Sequence, residues 1–245
     1  METDRTYRNH IRKSRLTPFR VIVKETDLYV HSRKDLSSVA TERVLHYRGF
    51  IENYISRNPE FAVSLVPWRN KDLCPEIIRD MVDAGVSAGV GPMAAVAGSI
   101  AERVGMDLLE HTDEVMIENG GDVFIKTNEP VDVGIYAGNS PLSLRIALRI
   151  DSSRFPVSLC TSSGTFGHSL SLGKADAVCV KSRSCALADA AATAIGNQVR
   201  NSRDIEDAIS MGGKIEGVLG VVVIVNDVLG AWGDLEVISG KGKKP

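Results

Sequence analysis

Apolar and polar positions in the N-terminal third of the chain change from strand-like alternation to helical spacing. Residues 19–31 alternate around a polar centre, which predicts two strands or one long strand with a bend. Asp35 is placed to cap a following helix, and Pro59 ends it after about Arg57. The apolar positions that recur at helical spacing within it are Val39, Val44, Ile51, Tyr54 and Ile55.

The next segment predicts one strand and two helices. Phe61 to Pro67 is typical of a strand, and Pro75 opens a short helix that we expect to stop at Gly85. Pro92 occupies the first position of a helix rich in small residues, which favours very close packing against a neighbour. Those small residues are Ala94, Ala95, Ala97, Gly98 and Ala101.

From residue 113 onward the pattern indicates mostly strands. The strand-like runs are EVMIEN, DVFIKT, VDVGIYA, LRIALRI, PVSLCT and 177–180, followed near the end by VLGVVVIVN and WGDLEVIS. Between these groups, Ser184 caps an alanine-rich helix that reaches about Val199, and Asp204 starts a short one. Consecutive strands without intervening helices favour an α+β class over a doubly wound sheet.

Length and composition predict a folded chain organised as one main domain. The 245 residues are 43% hydrophobic and 24% charged, which excludes a disordered chain. We expect a basic N-terminal arm at 1–18, a single domain at 19–238 and a flexible tail at 239–245.

Charge and composition also exclude several partners. A net charge of −2 lacks the basic field of a duplex-binding protein, and 5% aromatic residues argue against a single-strand stacking platform, so we expect no nucleic-acid partner. The longest nearly apolar run, 217–225, is too short to cross a membrane. The N-terminus has no signal-peptide pattern, and the four scattered cysteines are interpreted as reduced thiols. We therefore expect a cytoplasmic protein.

One polar stripe lies on the alanine-rich helix. Asp189, Thr193 and Asn197 are spaced four residues apart, so their oxygens line one face, and alanines on either side leave room for a ligand. A carboxylate with a hydroxyl is suited to Mg²⁺, which completes its coordination with phosphates and water. The alternative is a solvent-facing or hydrogen-bonded structural stripe.

Two loops could bind an anion. Glu118-Asn119-Gly120-Gly121-Asp122 lies between two strands, either as a plain tight turn or as a turn whose N–H groups face a ligand. Residues 160–169 (CTSSGTFGHS) hold five hydroxyls and His168, so they are either an ordinary loop or a phosphate-binding one. In the second case His168 could act as an acid or base, and a nucleophilic Cys160–His168 pair is a further alternative.

Five strings together resemble the ApbE-like superfamily, and most closely its compact branch from archaea and some bacteria. They are KETDL at 24–28, GVGPMAAVAG at 89–98, ENGGD at 118–122, TSSGTFGHSLSLGKADA at 161–177 and ALADAAATAIGN at 186–197. The resemblance implies antiparallel sheets with helices packed on them. The superfamily includes FAD:protein FMN transferases, which bind FAD and Mg²⁺ and move FMN onto a threonine or serine of a target protein.

The resemblance implies a role for each matching position. Asp189 and Thr193 correspond to the Mg²⁺-binding side chains, and Gly120, Gly121 and Asp122, with Asn119 before them, to the flavin-nucleotide pocket. His168 corresponds to a histidine near the diphosphate, while the loop at 161–164 is a candidate for nucleotide binding through its own hydroxyls and N–H groups. The hydroxyl-rich residues of that loop are Thr161, Ser162 and Ser163, followed by Gly164.

Three departures separate this chain from the transferases. The Asp-Pro pair that follows their histidine is replaced by Ser169-Leu170-Ser171-Leu172, their Met-Gly-Thr strand is absent, and the chain is shorter. We therefore expect a Mg²⁺-dependent pocket for FAD or another nucleotide, with a binding or accessory role favoured over transfer. The alternatives are FMN transfer to an acceptor protein, and a small-molecule role in sulfide assimilation or homocysteine formation.

Overall fold

The computed structural model describes residues 15–69, 73–164 and 172–240. Strands and helices alternate irregularly along these residues. The strands are β1 Thr17–Val23, β2 Thr26–Ser32, β3 Val115–Asn119, β4 Asp122–Lys126, β5 Val131–Gly134, β6 Ile146–Ile150, β7 Val157–Ser162, β8 Ala177–Ser182, β9 Val218–Val225, β10 Val228–Gly233 and β11 Glu236–Ser239. The α-helices are α1 Ser37–Arg57, α2 Glu76–Ala88, α3 Val96–Leu108, α4 Cys185–Gln198 and α5 Ile205–Gly212.

Eight strands form one antiparallel sheet in the order β1-β2-β3-β4-β7-β8-β9-β10. Strands β5, β6 and β11 form a second antiparallel sheet with β6 in the middle. Strand β9 is buried on both faces along most of its length, which explains why its sequence, VLGVVVIV, is a continuous apolar run rather than an alternating one. The α+β class predicted from the sequence is confirmed.

The large sheet separates two hydrophobic cores. Side chains on one face, such as Phe124, pack with helices α1–α5, whereas alternate residues such as Val123 and Ile125 pack against the small sheet. This division follows from the two-residue period of a strand, which sends successive side chains to opposite faces. The chain therefore has three layers: helices, large sheet and small sheet.

The predicted capping residues lie at the starts of α1 and α4, and the end of α2 differs from the predicted one by a few residues. The Asp35 carboxylate accepts the N–H of Ser37 at 2.8 Å at the start of α1, and the Ser184 hydroxyl accepts the N–H of Leu187 at the start of α4. Helix α2 continues past Gly85 and ends at Ala88, because the residue that takes the left-handed conformation is Gly89, with φ of 77°.

Two sequence predictions are corrected by the structure. Phe61 to Pro67 is not a strand: a short 3₁₀ helix covers Pro59–Ala62, and Phe61 is fully buried against Tyr54 and Trp68. Phe61 anchors this helical turn, whereas Val63, Leu65 and Val66 are exposed. Near the C-terminus, the run WGDLEVIS is divided between β10 and β11, which belong to different sheets.

In the described ranges, no single helix is long and apolar enough to cross a membrane. The segments Glu76–Ala88 and Pro92–Leu108, which are bent relative to each other, are together long and apolar enough, by length and composition only. Strand β1 begins at Thr17 and β11 ends at Ser239. Most of the expected N-terminal arm, and 241–245 of the expected tail, lie outside the described residues.

Candidate functional site

Two aspartates, the buried Asp122 and the half-buried Asp189, lie between the large sheet and helix α4. Asp122 is the first residue of β4 and lies on the helix-facing side of the sheet, since Phe124 two residues on packs in the helical core. Asp189 lies one turn into α4, which crosses the same face. The two carboxyl groups lie close enough for each to shift the pKa of the other, so these sequence-predicted residues are brought together.

Burial governs the charge of this pair. Desolvation raises the pKa of Asp122 well above its usual range, and the neighbouring Asp189 carboxylate raises it further. Desolvation also raises the pKa of Asp189, against the opposing effect of N–H donors from Gly98 and Ala97. Two carboxylates in contact cannot both stay charged without a counter-charge, so the pair requires a shared proton or a bound cation.

Asp189 also has a structural contact that its spacing did not reveal. Its Oδ2 accepts the N–H of Gly98 at 2.9 Å, and the N–H of Ala97 is a second donor. These N–H groups lie in the first turn of α3, where no backbone acceptor is available, so Asp189 caps α3 from the neighbouring helix.

Glu102 makes the reciprocal contact. Its Oε2 accepts the N–H of Cys185 at 2.7 Å, with the N–H of Ala186 and the hydroxyl of Ser184 at 3.4 and 3.3 Å. Each helix thus provides the carboxylate that caps the other, which fixes their relative position. The sequence analysis missed Glu102, because its spacing within α3 carries no sign of a partner in α4.

The close approach of these helices depends on Gly98. A Cβ at this position would lie 2.4 Å from the carbonyl oxygen of Cys185 and 2.9 Å from the Cβ of Asp189. The prediction that the small residues of this segment allow very close packing agrees with this geometry.

The turn between β3 and β4 forms one edge of the site. Gly120 and Gly121 have φ of 70° and 110°, values that side chains disfavour, and the N–H of Gly121 donates to Glu118 Oε1 at 2.9 Å. The Asn119 side chain donates to the carbonyl oxygen of Ala97 at 3.0 Å and so ties the turn to the start of α3.

The end of β7 forms the opposite edge. The Thr161 N–H donates to the Asp122 carboxyl, and a Cβ at Gly121 would lie 3.3 Å from the Thr161 carbonyl oxygen. The Ser162 hydroxyl is buried and has no hydrogen-bond partner among the residues described. At Gly164, the N–H donates to the Ala175 carbonyl oxygen at 2.9 Å, which brings the two ends of the loop together.

Of the remaining predicted residues, Thr193 and Asn197 lie on α4 and His168 lies outside the described residues. Thr193 follows Asp189 by one turn of α4 and is partly buried. Asn197 accepts the N–H of Leu172 at 2.8 Å and so holds the returning end of the loop. His168 lies outside the described residues, and its acid or base role stays a prediction.

The donor set can be tested against a magnesium ion. No group of three or more His, Cys, Asp or Glu side chains that could hold a metal is found in the described part of the chain. Asp122, Asp189 and Thr193 provide oxygen donors only. Such a set fits a hard cation that takes one or two protein oxygens and completes its coordination with phosphate and water, but does not fit a closed protein cage.

Two solved structures resemble this fold. The apo form of the Pseudomonas stutzeri flavinyl transferase ApbE matches with a TM-score of 0.60 and 12% identity, covering 89% of this chain and 94% of that one. The ApbE protein of Thermotoga maritima matches with a TM-score of 0.56 and 13% identity, covering 88% and 96%. The architecture is therefore of the ApbE type.

Sequence relatives give the family. The family model described as "AbpE bacteria" matches residues 8–230. UPF0280 protein MJ1526 of Methanocaldococcus jannaschii is 40% identical over 222 residues, covering 88% of this chain and 90% of that protein. UPF0280 protein MMP1236 of Methanococcus maripaludis is 38% identical over 231 residues, covering 92% and 94%. The chain belongs to this ApbE-like family, in the branch of the UPF0280 proteins.

Proposed function

We propose that the protein binds a flavin nucleotide, FAD in the first instance, together with Mg²⁺ beside Asp122 and Asp189, in a binding or accessory role. The observation that carries this proposal is the closeness of two carboxyl groups, the buried Asp122 and the half-buried Asp189, each of which shifts the pKa of the other. A divalent cation would neutralise both groups, whereas a purely structural site would be better stabilised without the second carboxyl.

The surroundings of the pair support a nucleotide as the second component. Mg²⁺ usually binds proteins through one or two carboxylates and completes its shell with substrate phosphates. The Gly120–Gly121 turn directly precedes Asp122, and the buried Ser162 hydroxyl, on the neighbouring strand β7, has no partner among the residues described, so both could offer neutral donors to such phosphates. In this arrangement Asp189 and Thr193 hold the ion, and the turn and loop hold the nucleotide.

A second candidate function is transfer of FMN to a threonine or serine of an acceptor protein. The observation that favours it is the fold, since the similar Pseudomonas stutzeri protein is a flavinyl transferase. Here Mg²⁺ would neutralise charge on the diphosphate, and His168 would accept the proton of the acceptor hydroxyl. The absence of an acid directly after His168 is why binding without transfer is preferred.

A role in sulfur chemistry is the weaker alternative. A nucleophilic Cys160 would have to reach its substrate as a thiolate, yet its side chain is fully buried and burial raises its pKa well above the usual range. Both features make attack by Cys160 too slow for catalytic turnover.

The test is a calorimetric titration of the full chain with FAD, FMN and ADP, each with and without Mg²⁺. We expect FAD to bind at least tenfold more tightly with Mg²⁺, and Asp189→Asn to abolish that difference. Asparagine retains an oxygen that can accept the α3 N–H groups, so this variant separates metal binding from helix capping. Asp132→Asn, on the small sheet, is the matched control. Absence of FAD binding at high micromolar protein would refute the proposal.

A covalent assay distinguishes the two functions. Incubation with FAD, Mg²⁺ and serine- and threonine-containing acceptor polypeptides should leave no protein-bound FMN detectable by mass spectrometry. Covalent FMN on an acceptor hydroxyl would establish transfer instead.

A further inference from the structure

Two cysteines face each other directly behind the carboxyl pair. The sulfur of Cys160, on β7, lies 3.5 Å from the sulfur of Cys185, the first residue of α4, and both side chains are fully buried. Contacts with distant segments hold them there, because Cys160 is paired with Val180 in the sheet and Glu102 caps the first turn of α4. The other cysteines, Cys74 and Cys179, are also free thiols, and Cys179 packs on the opposite face of the sheet.

This thiol pair contacts the candidate site. The Cys160 thiol lies near enough to the Asp122 carboxyl to lower its pKa, and Asp122 in turn neighbours Asp189. Cys160 Sγ lies 3.4 Å from the carbonyl oxygen of Cys185, the first residue of α4. A change in the bonding of these sulfurs therefore acts on the carboxyl pair through the first turn of α4, which precedes Asp189, and through the surroundings of Asp122.

We propose that Cys160 and Cys185 are an oxidative modification site, at which a disulfide bond between β7 and α4 weakens ligand binding at the carboxyl pair. The oxidant is a small-molecule disulfide. One cysteine sulfur attacks it and releases one small thiol, and the second cysteine then displaces the other, so two cysteine thiols and one disulfide give one protein disulfide and two small thiols. The two cysteine protons leave on those thiols.

The geometry defines what the bond would change. Disulfide sulfurs are about 2.05 Å apart, so the two sulfur atoms must approach by roughly 1.5 Å. This movement draws the start of α4 toward β7, four residues before Asp189. It also removes the S–H group that faces Asp122.

Burial determines how the proposal should be tested. It raises the pKa of both thiols, which keeps them protonated and slows exchange. An equilibrium measurement is therefore appropriate, because it reports whether the disulfide is favoured once formed rather than how fast it forms.

The experiment equilibrates the full chain in glutathione buffers from fully reduced to fully oxidised. Free thiols are then alkylated under denaturing conditions and located by peptide mass mapping. We expect a linked peptide that joins Cys160 to Cys185, with Cys74 and Cys179 alkylated. Cys160→Ser and Cys185→Ser should each abolish the link, and Cys74→Ser should leave it unchanged. Alkylation of both Cys160 and Cys185 in the most oxidising buffer in which the chain stays folded would overturn the proposal.

The effect on the ligand rests on the proposed function and has its own readout. With Mg²⁺ present, we expect oxidation to weaken FAD binding at least tenfold, with full recovery on addition of reductant. A disulfide that leaves FAD affinity unchanged would contradict the coupling. Failure of the reduced protein to bind FAD would refute the proposed function instead, while peptide mapping would still decide whether the disulfide forms.

Discussion

Replacement of Gly98 by alanine tests the contact between α3 and α4 on which the site depends. The new Cβ would lie 2.4 Å from the Cys185 carbonyl oxygen and 2.9 Å from the Cβ of Asp189. A carbon and an oxygen in ordinary contact are about 3.3 Å apart, so the helices must separate by roughly 0.9 Å. Both neighbours are backbone or Cβ atoms, which cannot move away by changing a rotamer.

The expected energy follows from two opposing effects. Overpacking in a well-packed core typically costs about 1–3 kcal/mol. Replacing a helical glycine by alanine returns about 0.5–1 kcal/mol through lower chain entropy in the unfolded state. We therefore expect Gly98→Ala to lower the free energy of unfolding by about 1 kcal/mol, within a range of about 0–2.5 kcal/mol.

Gly49→Ala is the matched control. Gly49 lies within α1, and a Cβ there would have no heavy atom within 4 Å, so only the entropic gain remains. We expect this variant to be about 0.5–1 kcal/mol more stable than wild type. Urea unfolding of the three proteins, with equal slopes, gives the comparison.

The reasoning would be refuted if Gly98→Ala were as stable as Gly49→Ala. Because the displaced atoms include Asp189 Cβ and the Gly98 N–H that donates to the Asp189 carboxylate, Gly98→Ala should also weaken Mg²⁺-dependent FAD binding, whereas Gly49→Ala should not.

Three further predictions concern the turn, the core and the capping glutamate. Gly121→Ala should weaken FAD binding in titrations, because Gly121 has φ of 110° and a Cβ there would lie 3.3 Å from the Thr161 carbonyl oxygen. Gly120→Asn should bind FAD like wild type, because Gly120 has φ of 70° and its Cβ would lie in open space. Phe61→Ala should lower the free energy of unfolding in urea by about 3–5 kcal/mol, since Phe61 is fully buried; a loss below about 1 kcal/mol would contradict its place in the core. Burial raises the pKa of Glu102 above its value in the unfolded chain. Wild type should therefore lose stability relative to Glu102→Gln as the pH rises from below the usual glutamate pKa through that raised pKa. A stability difference that stays the same in urea unfolding between pH 4 and 8 would contradict this.

Much of the fold could be predicted from local patterns. The strands β3 and β4, the Asn-Gly turn between them and the Ser184 cap of α4 all follow from short-range chemistry, which the sequence expresses directly. The residues 61–67 were misassigned because an apolar run of this length is compatible with a strand or a buried turn. Only the tertiary contacts of Phe61 with Tyr54 and Trp68 decide between them.

The part of the site that depends on local sequence patterns could also be predicted. The spacing of Asp189 and Thr193 and the glycine pair at 120–121 are local, and the structure places Asp189 beside Asp122. Contacts between distant segments left no pattern to detect. The capping of α4 by Glu102 spans 83 residues, and the Cys160–Cys185 contact joins a strand to a helix across an intervening loop.

The central claim is that the Asp122–Asp189 pair binds a divalent cation together with a nucleotide. Electron paramagnetic resonance of Mn²⁺, used in place of Mg²⁺, tests it most directly because the free ion has a strong signal that protein binding broadens. We expect the signal of free Mn²⁺ to fall in proportion to added protein only when FAD is present. In the Asp189→Asn variant the free Mn²⁺ signal should keep its full height, while circular dichroism shows that the variant is folded. Mn²⁺ binding that is independent of FAD, or that survives Asp189→Asn, would contradict the account.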